Sequence, residues 1–372
     1  MTETSHPATG RTASPPRDLR ELLKSRAVLV TGAAGFVGSH LVERLLELGA
    51  DVHALIRPTS SGTLHNLAHV RERARVWRAD ITDKQSVLQV LKGIAALAQR
   101  EPIVFHLAGQ SHVGESWNRP YETIATNAVG TLNLLQSIVD LGLQIFKFDT
   151  AGSSEEYGNT QPELAHNYRH GEDGGLILDA TSPVNPQSVY ATSKLAADYL
   201  TRNYFAAYGV PGIVTRMFNN YGPRQNPRFI TGTIITQALS RDHVELGYLG
   251  AKRDFCYVTD GAEGHIHAAL FGRPGEVYVY GQGKHISIED WYRLIIHVGQ
   301  QARLWGEKEL RINEADRGRI GSSEVMELRV DYGKLAATTG WSPKHTWEEG
   351  LLSTIRWYAE NRERWIERVD WQ

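Results

Sequence analysis

Short, solidly apolar runs alternate along this chain with longer stretches whose apolar positions recur every three to four residues. The run Ala27–Val30 reads as a buried strand. It leads into a glycine-rich turn and then SHLVERLLELG, where Leu41, Val42, Leu45, Leu46 and Leu48 share one helical face and Gly49 ends the helix. Val52–Ile56 is the next strand, completing a β-turn-α-β unit. The same reading predicts strands at Arg75–Trp77, Ile103–Leu107, Ile145–Phe148 and Ile213–Arg216, with helices near 84–99, 121–141 and 188–208. Strands alternating with helices predict an α/β fold, a doubly wound parallel (Rossmann) sheet whose ligand loops gather at the carboxyl ends of the strands.

Beyond Asn219 the rhythm loosens. Phe255–Val258 and Val277–Tyr280 read as strands, Ser287-Ile288-Glu289-Asp290 as a capped helix start, and 348–367 as an amphipathic helix rich in Trp. The expected organisation is a tail over 1–24, a dinucleotide-binding domain over 25–219, and a smaller α/β substrate lobe over 220–372, with part of 256–275 returning to the first domain. Residues 1–20 are polar and rich in Thr, Ser and Pro, which reads as a disordered tail and not a signal peptide.

Composition narrows the function. With 372 residues and 41% hydrophobic content there is material for a large core. A formal net charge of −2 supplies no global field for nucleic acid or an anionic membrane, so neither is expected as a partner. No apolar run is long enough to span a bilayer. The single cysteine, Cys256, reads as a small buried strand residue; no metal cluster is visible, and a reducing cytoplasm fits.

Gly32, Gly35 and Gly38 follow the first strand and open a helix. The first permits a tight turn, the second lets backbone approach a pyrophosphate, and the third lets helix and strand pack closely. The helix N-terminus then offers free N–H groups to phosphates. The second strand ends in Ile56-Arg57-Pro58-Thr59 and not in the acidic residue that binds NAD ribose hydroxyls. Arg57 is therefore a candidate for the 2′-phosphate of NADP, and NADP is favoured over NAD within an NAD(P) reading. Asp80, before Ile81, is placed either to accept from an adenine amino group or to cap the next helix.

Tyr190 and Lys194 stand at i and i+4, one turn apart on one helical face. The lysine charge favours the tyrosine phenolate, which can then act as acid or base on a hydroxyl or carbonyl. In this setting the segments TGAAGFVGSHL, HLAGQSHVGESW, GSSEEYG, PQSVYATSK and RMFNNYGPRQ resemble, in order, those of the extended short-chain dehydrogenases/reductases, the NAD-dependent epimerase/dehydratase family. HLAGQSHVGESW, LGYLGAKRDF and SSEVMELRVDYGKL look most like GDP-mannose 4,6-dehydratase and GDP-4-keto-6-deoxymannose reductase. The resemblance covers roughly 26–360.

That resemblance implies roles. Ser153 would hydrogen-bond the sugar O4, Tyr190 would act there as base, and Lys194 would hold the nicotinamide ribose. Glu155, beside Ser154, would remove the C5 proton; its bland alternative is an exposed loop glutamate next to Glu156. Phe36, Val37, Ile81, Leu107, Ala108, Gln110 and Asn127 would line the cofactor. Ser111 (beside His112), Ser154, Asn219, Arg224, Arg253, Arg319 and Glu324 would meet the substrate, with Arg224, Lys252 and Arg253 as candidates for its diphosphate. Gly321-Ser322 stand where the GDP-mannose enzymes show Arg-Pro, and 159–182 is longer than the usual loop, so nucleotide and sugar stay open.

The function expected is a nucleotide-sugar 4,6-dehydratase, a lyase using oxidation at C4, loss of water across C5/C6 and hydride return. The alternatives are a 4-epimerase, an NADPH-dependent 4-keto-sugar reductase, or a non-catalytic NADP-binding protein. The fold also implies a homodimer or higher homo-oligomer built on 121–141 and 188–208.

Overall fold

The computed structural model describes residues 18–58, 64–313 and 324–369. Its centre is a sheet of seven parallel strands: β1 (Ala27–Thr31), β2 (Asp51–Ile56), β3 (Arg75–Arg78), β4 (Ile103–His106), β5 (Lys147–Ser153), β6 (Gly212–Met217) and β7 (Val277–Tyr280). Their order across the sheet is β7-β6-β5-β4-β1-β2-β3. The order reverses beside β1, which opens a crevice at the strand ends where a doubly wound sheet takes its ligand. The principal crossover helices are α1 (Phe36–Glu47), α2 (Lys84–Leu97), α3 (Gly130–Asp140), α4 (Val189–Tyr208) and α5 (Val258–Phe271).

Several elements depart from the sequence expectation. Strand β5 runs to Ser153, five residues past the apolar run that suggested it. Its polar members are buried yet satisfied: Asp149 accepts from Thr215 at 2.6 Å and pairs with His265 Nδ1 at 2.6 Å, so the strand continues through residues that look like a loop. The helix expected over 121–141 is broken into Pro120–Ile124, a π-turn at Ala125–Val129, and α3. Within the expected tail, Leu19–Leu23 form a short helix capped by Asp18, and Leu23 is buried in the core; residues 1–17 lie outside the described residues.

The returning part of the chain is longer than expected. Helix α5 packs Ala262, Ile266, Ala269 and Leu270 against the β1–α1 core, and β7 joins the sheet edge. The strand Phe255–Tyr257, with Cys256 buried in it, instead pairs with Asn219–Tyr221 in a separate two-stranded ladder. Among the remaining C-terminal segments, Ile288–Gln301 and Trp347–Glu360 build an aromatic core in which Phe255 stacks on Trp291 at 4.1 Å and Trp347 and Trp365 close the cluster, whereas Leu335 and Trp341 pack with Ile213, Tyr278 and Tyr280 of the sheet. Among the described residues no helix is long and apolar enough to cross a membrane, and no group of His, Cys, Asp or Glu could hold a metal ion.

Candidate active site

The glycine turn is tight for reasons visible atom by atom. Gly32 has φ +67°, and a Cβ there would lie 2.8 Å from Ala108 N; a Cβ on Gly38 would lie 2.3 Å from Gly32 O. Side chains at these positions would separate α1 from β1 or close the turn. Helix α1 starts at Gly35 with no side-chain cap, whereas α2 and α4 are capped by Asp83 and Ser188. The N-terminus of α1 thus keeps N–H groups for an anion. Phe36 and Val37 are partly buried on its first turn.

Other expected cofactor residues surround the same crevice. Thr31, at the end of β1, accepts from Ala108 N at 3.0 Å and bonds His106 Nδ1 at 2.8 Å. Burial pushes His106 down to about 3, with the Lys194 charge adding to the effect, so the ring is neutral and serves as a strut to Thr131. Leu107 is half-buried beside it. Ile81 is buried against Gly130, where a Cβ would meet its side chain at 2.6 Å. Asp80 holds Thr82, accepting from its N–H and hydroxyl at 2.9 and 2.8 Å, and Asp83 is the cap of α2. Arg57 is exposed at the end of β2, 3.8 Å from Glu122.

Asn127 is placed by the π-turn, a device that re-aims a helical side chain. It accepts from Gln110 N at 2.8 Å, donates to Gln110 O at 3.0 Å, and donates to Ser193 Oγ at 2.9 Å. Ser193 in turn donates to Tyr190 O at 2.7 Å. One side chain therefore registers the loop after β4 against the helix carrying Tyr190. Gln110 Oε1 is buried with no partner among the described residues.

Tyr190 and Lys194 are both buried on the first two turns of α4. Lys194 Nζ donates to Ala151 O at 2.8 Å, and burial brings it from 10.5 down to about 8. Ser153 ends β5 and caps the short turn Ser154–Glu156, accepting from Glu155 N at 3.2 Å. Ser154, Glu155 and Glu156 are all buried, so the reading of an exposed loop glutamate does not hold. Glu156 is fully buried, accepts from Ser153 N at 2.7 Å and meets Arg216. The sequence reading passed over Glu156, Arg216 and Asp198, although Ser153-x-x-Glu156 carries the capping-box spacing.

The substrate candidates divide. Asn219 is half-buried, its Oδ1 without a partner among the described residues. Arg253 is buried and donates to Glu324 Oε1 at 2.6 Å, bringing two expected substrate residues together. Asn159 holds Glu324 from the other side, donating to its carbonyl at 2.7 Å and accepting from Met326 N at 2.8 Å. Arg224 instead turns to α1: at φ +70°, its Nη2 donates to both Glu43 oxygens at 2.7 and 2.8 Å. Ser111 is exposed, with His112 beside it capping the helix Val113–Asn118. Arg319 and the Gly321-Ser322 departure lie outside the described residues.

The long 159–182 segment folds over this wall. It forms a hairpin of Arg169–His170 with Leu176–Ile177 and is fastened to 327–331 by Arg329–Asp173, Arg169–Asp331 and Glu327–Leu176 N. Tyr168, Leu176 and Leu178 pack there with Val325, Leu328 and Val330.

Comparison with known proteins decides the family. The model of the family described as GDP-mannose 4,6 dehydratase matches residues 29–354. The chain belongs to that family. It is 30% identical to dTDP-glucose 4,6-dehydratase from Escherichia coli over 360 residues, covering 92% of this chain and 96% of that one. It is 31% identical over 374 residues to the GDP-mannose 4,6-dehydratase sdnI of Sordaria araneosa, covering 94% and 64%. Among solved structures, the dTDP-glucose 4,6-dehydratase of Streptomyces venezuelae with NAD bound superposes with a TM-score of 0.78 at 27% identity, over 92% of this chain and 100% of that one. A UDP-glucose 4-epimerase from Thermotoga maritima reaches 0.76 at 27% identity, over 90% and 99%. This dehydratase-family chain thus shares its fold with NAD-dependent nucleotide-sugar dehydratases and epimerases.

Proposed function

We propose that this protein is a nucleotide-sugar 4,6-dehydratase dependent on NAD(P). The observation that carries the reading is the buried Ser153–Glu155 turn at the end of β5, next to the strand carbonyl that anchors Lys194. The Gly32–Gly38 turn and the N-terminus of α1 would hold the pyrophosphate of the cofactor, whose nicotinamide would supply the hydride acceptor and donor. Tyr190 takes the proton from the C4 hydroxyl, Lys194 supports its phenolate and holds the ribose, and Ser153 orients O4. Glu155 takes the C5 proton that the C4 ketone has acidified and returns a proton as water leaves C6. Arg253 binds the diphosphate of the sugar nucleotide, Asn219 contacts the substrate and Glu324 lies near the nucleotide base, with Gln110 and Asn127 on the cofactor side. Arg224 has no part in this reading, because its guanidinium is held by Glu43.

Arg57 at the end of β2 supports NADP over NAD. A homodimer is supported by exposed apolar side chains on the two helical segments expected to carry it: Tyr121, 90% exposed, with Ile124 and Val129 on one, and Tyr199, Phe205 and Tyr208 on α4.

The test is incubation of the purified protein with GDP-mannose and, separately, UDP-, dTDP- and CDP-glucose, without added reductant, read by mass spectrometry. Loss of the mass of water from one of them establishes the dehydratase and its nucleotide. An unchanged mass with a changed sugar NMR spectrum makes it an epimerase instead, and NADPH consumption on a 4-keto sugar makes it a reductase.

A further inference from the structure

Two glutamates stand side by side after Ser153, and the fold separates them. Glu155 is the second residue of the turn and Glu156 the third, which makes Glu156 the closing member of a capping box: Ser153 Oγ takes the N–H at one end, and Glu156 Oε1 takes Ser153 N–H at the other. The carboxylate reaches back under the strand end only because residue 152 is glycine. A Cβ there would lie 2.9 Å from Glu156 Oε1 and 2.9 Å from Arg216 Cγ.

The other oxygen of Glu156 faces a guanidinium. Arg216 Nε on β6 stands 2.8 Å from Glu156 Oε2, and the same guanidinium hydrogen-bonds Asp198 Oδ2 through Nε at 3.0 Å and Nη2 at 2.9 Å. Asp198 is on α4, one turn after Lys194, and its other oxygen is taken by Arg202. Glu156, Asp198 and Arg216 are all buried. Arg216 also lies over the ring of Tyr157, 5.0 Å from its centroid. One guanidinium thus joins the turn bearing Ser153 and Glu155 to the helix bearing Tyr190 and Lys194. A buried ionic link of this kind is a poor source of net stability and a good source of unique geometry.

We propose that Glu156 is a positioning residue that sets the Ser153–Glu155 turn against the Tyr190–Lys194 helix through Arg216 and Asp198, so that the surroundings of Lys194 and Tyr190 depend on it. The groups facing Glu156 are Arg216 from β6, Asp198 and Lys194 from α4, and Tyr157 from its own turn. Burial and the Asp198 charge push Glu156 up, to about 7, against the pull of Arg216. Its negative charge raises Lys194, which burial lowers. Removing that charge lets Lys194 lose its proton at lower pH, so Tyr190 ionises less readily.

The inference rests on the Tyr190–Lys194 pair proposed above, and its test does not require turnover. Glu156→Gln keeps the cap acceptor and removes the charge; Glu156→Leu fills the volume without either. Each is prepared with and without Tyr190→Phe, and tyrosinate ultraviolet absorbance is followed against pH with NAD present. The difference within each pair isolates Tyr190. Its midpoint should move up by about half a pH unit in both variants. A role confined to the scaffold would lower the melting temperature and leave the midpoint in place, and an unmoved midpoint in either folded variant overturns the proposal. A moved midpoint in a protein that dehydrates none of the four sugars would leave the proposal standing and count against the dehydratase reading alone.

Discussion

Lys194 Nζ donates to the carbonyl of Ala151, so the lysine of α4 is tied to the strand that ends two residues later in Ser153. The tie is made by a buried ammonium, and burying it has a cost. Burial brings Lys194 from 10.5 to about 8 while Glu156 pulls the other way. A lowered folded value means that the unfolded chain holds the proton more tightly. Folding is therefore penalised at pH below about 8, and the penalty fades as pH rises from there toward 10.5. In nucleotide-free protein, Lys194→Met should melt no lower than wild type at pH 7, with any advantage shrinking toward pH 10, while turnover falls by about a hundredfold or more. A lower melting temperature at pH 7 would refute this account of the buried charge.

Tyr190 and Glu155 are assigned to different protons, and their variants should separate. Tyr190→Phe removes the acceptor at C4 and should abolish hydride removal as well as product formation. Glu155→Gln should leave hydride removal intact and slow water loss by about a hundredfold or more, so that reduced nicotinamide absorbance builds up during a single turnover. Unchanged dehydration in Glu155→Gln would remove the main support for elimination at this turn.

Arg57 is exposed, and among the described residues it stands 3.8 Å from Glu122. Replacing it with alanine should weaken NADP binding by about tenfold and leave NAD binding within about twofold, measured by fluorescence titration. Equal losses for both nucleotides would assign Arg57 to the surface.

Tyr121 and Tyr208 are the most exposed large hydrophobic side chains described on the two helical segments proposed to pair. Charging both, as Tyr121→Glu with Tyr208→Glu, should shift the protein from dimer to monomer in sedimentation at micromolar concentration. A species of unchanged mass would place the interface elsewhere.

What was legible in the chain was what is local. The glycines of the first turn, the Tyr190–Lys194 spacing and the strand–helix alternation depend on neighbours within a few residues, and each has its place in the fold. The extension of β5 was hidden because Asp149 is made acceptable in a sheet by Thr215 and His265, both far along the chain. Arg224 lies in a motif suggestive of phosphate binding, yet its partner, Glu43, comes from the first helix of the sheet domain. The broken helix around Asn127 gave no warning either, since a π-turn needs neither proline nor glycine at its centre. Glu156 was passed over although Ser153-x-x-Glu156 has the capping-box spacing, and its ion pair with Arg216, 60 residues on, leaves no local trace.

The aromatic packing of the C-terminal lobe also equips the protein with its own optical reporter. Seven of the nine tryptophans (at 291, 305, 341, 347, 357, 365 and 371) lie beyond residue 290, leaving only Trp77 and Trp117 before them. Trp291, Trp347 and Trp365 sit in the cluster around Phe255, two residues after Arg253. Intrinsic emission therefore samples chiefly the half of the molecule that would grip a sugar nucleotide. Substrate arrival, or melting of that half ahead of the sheet, can be watched without attaching a dye.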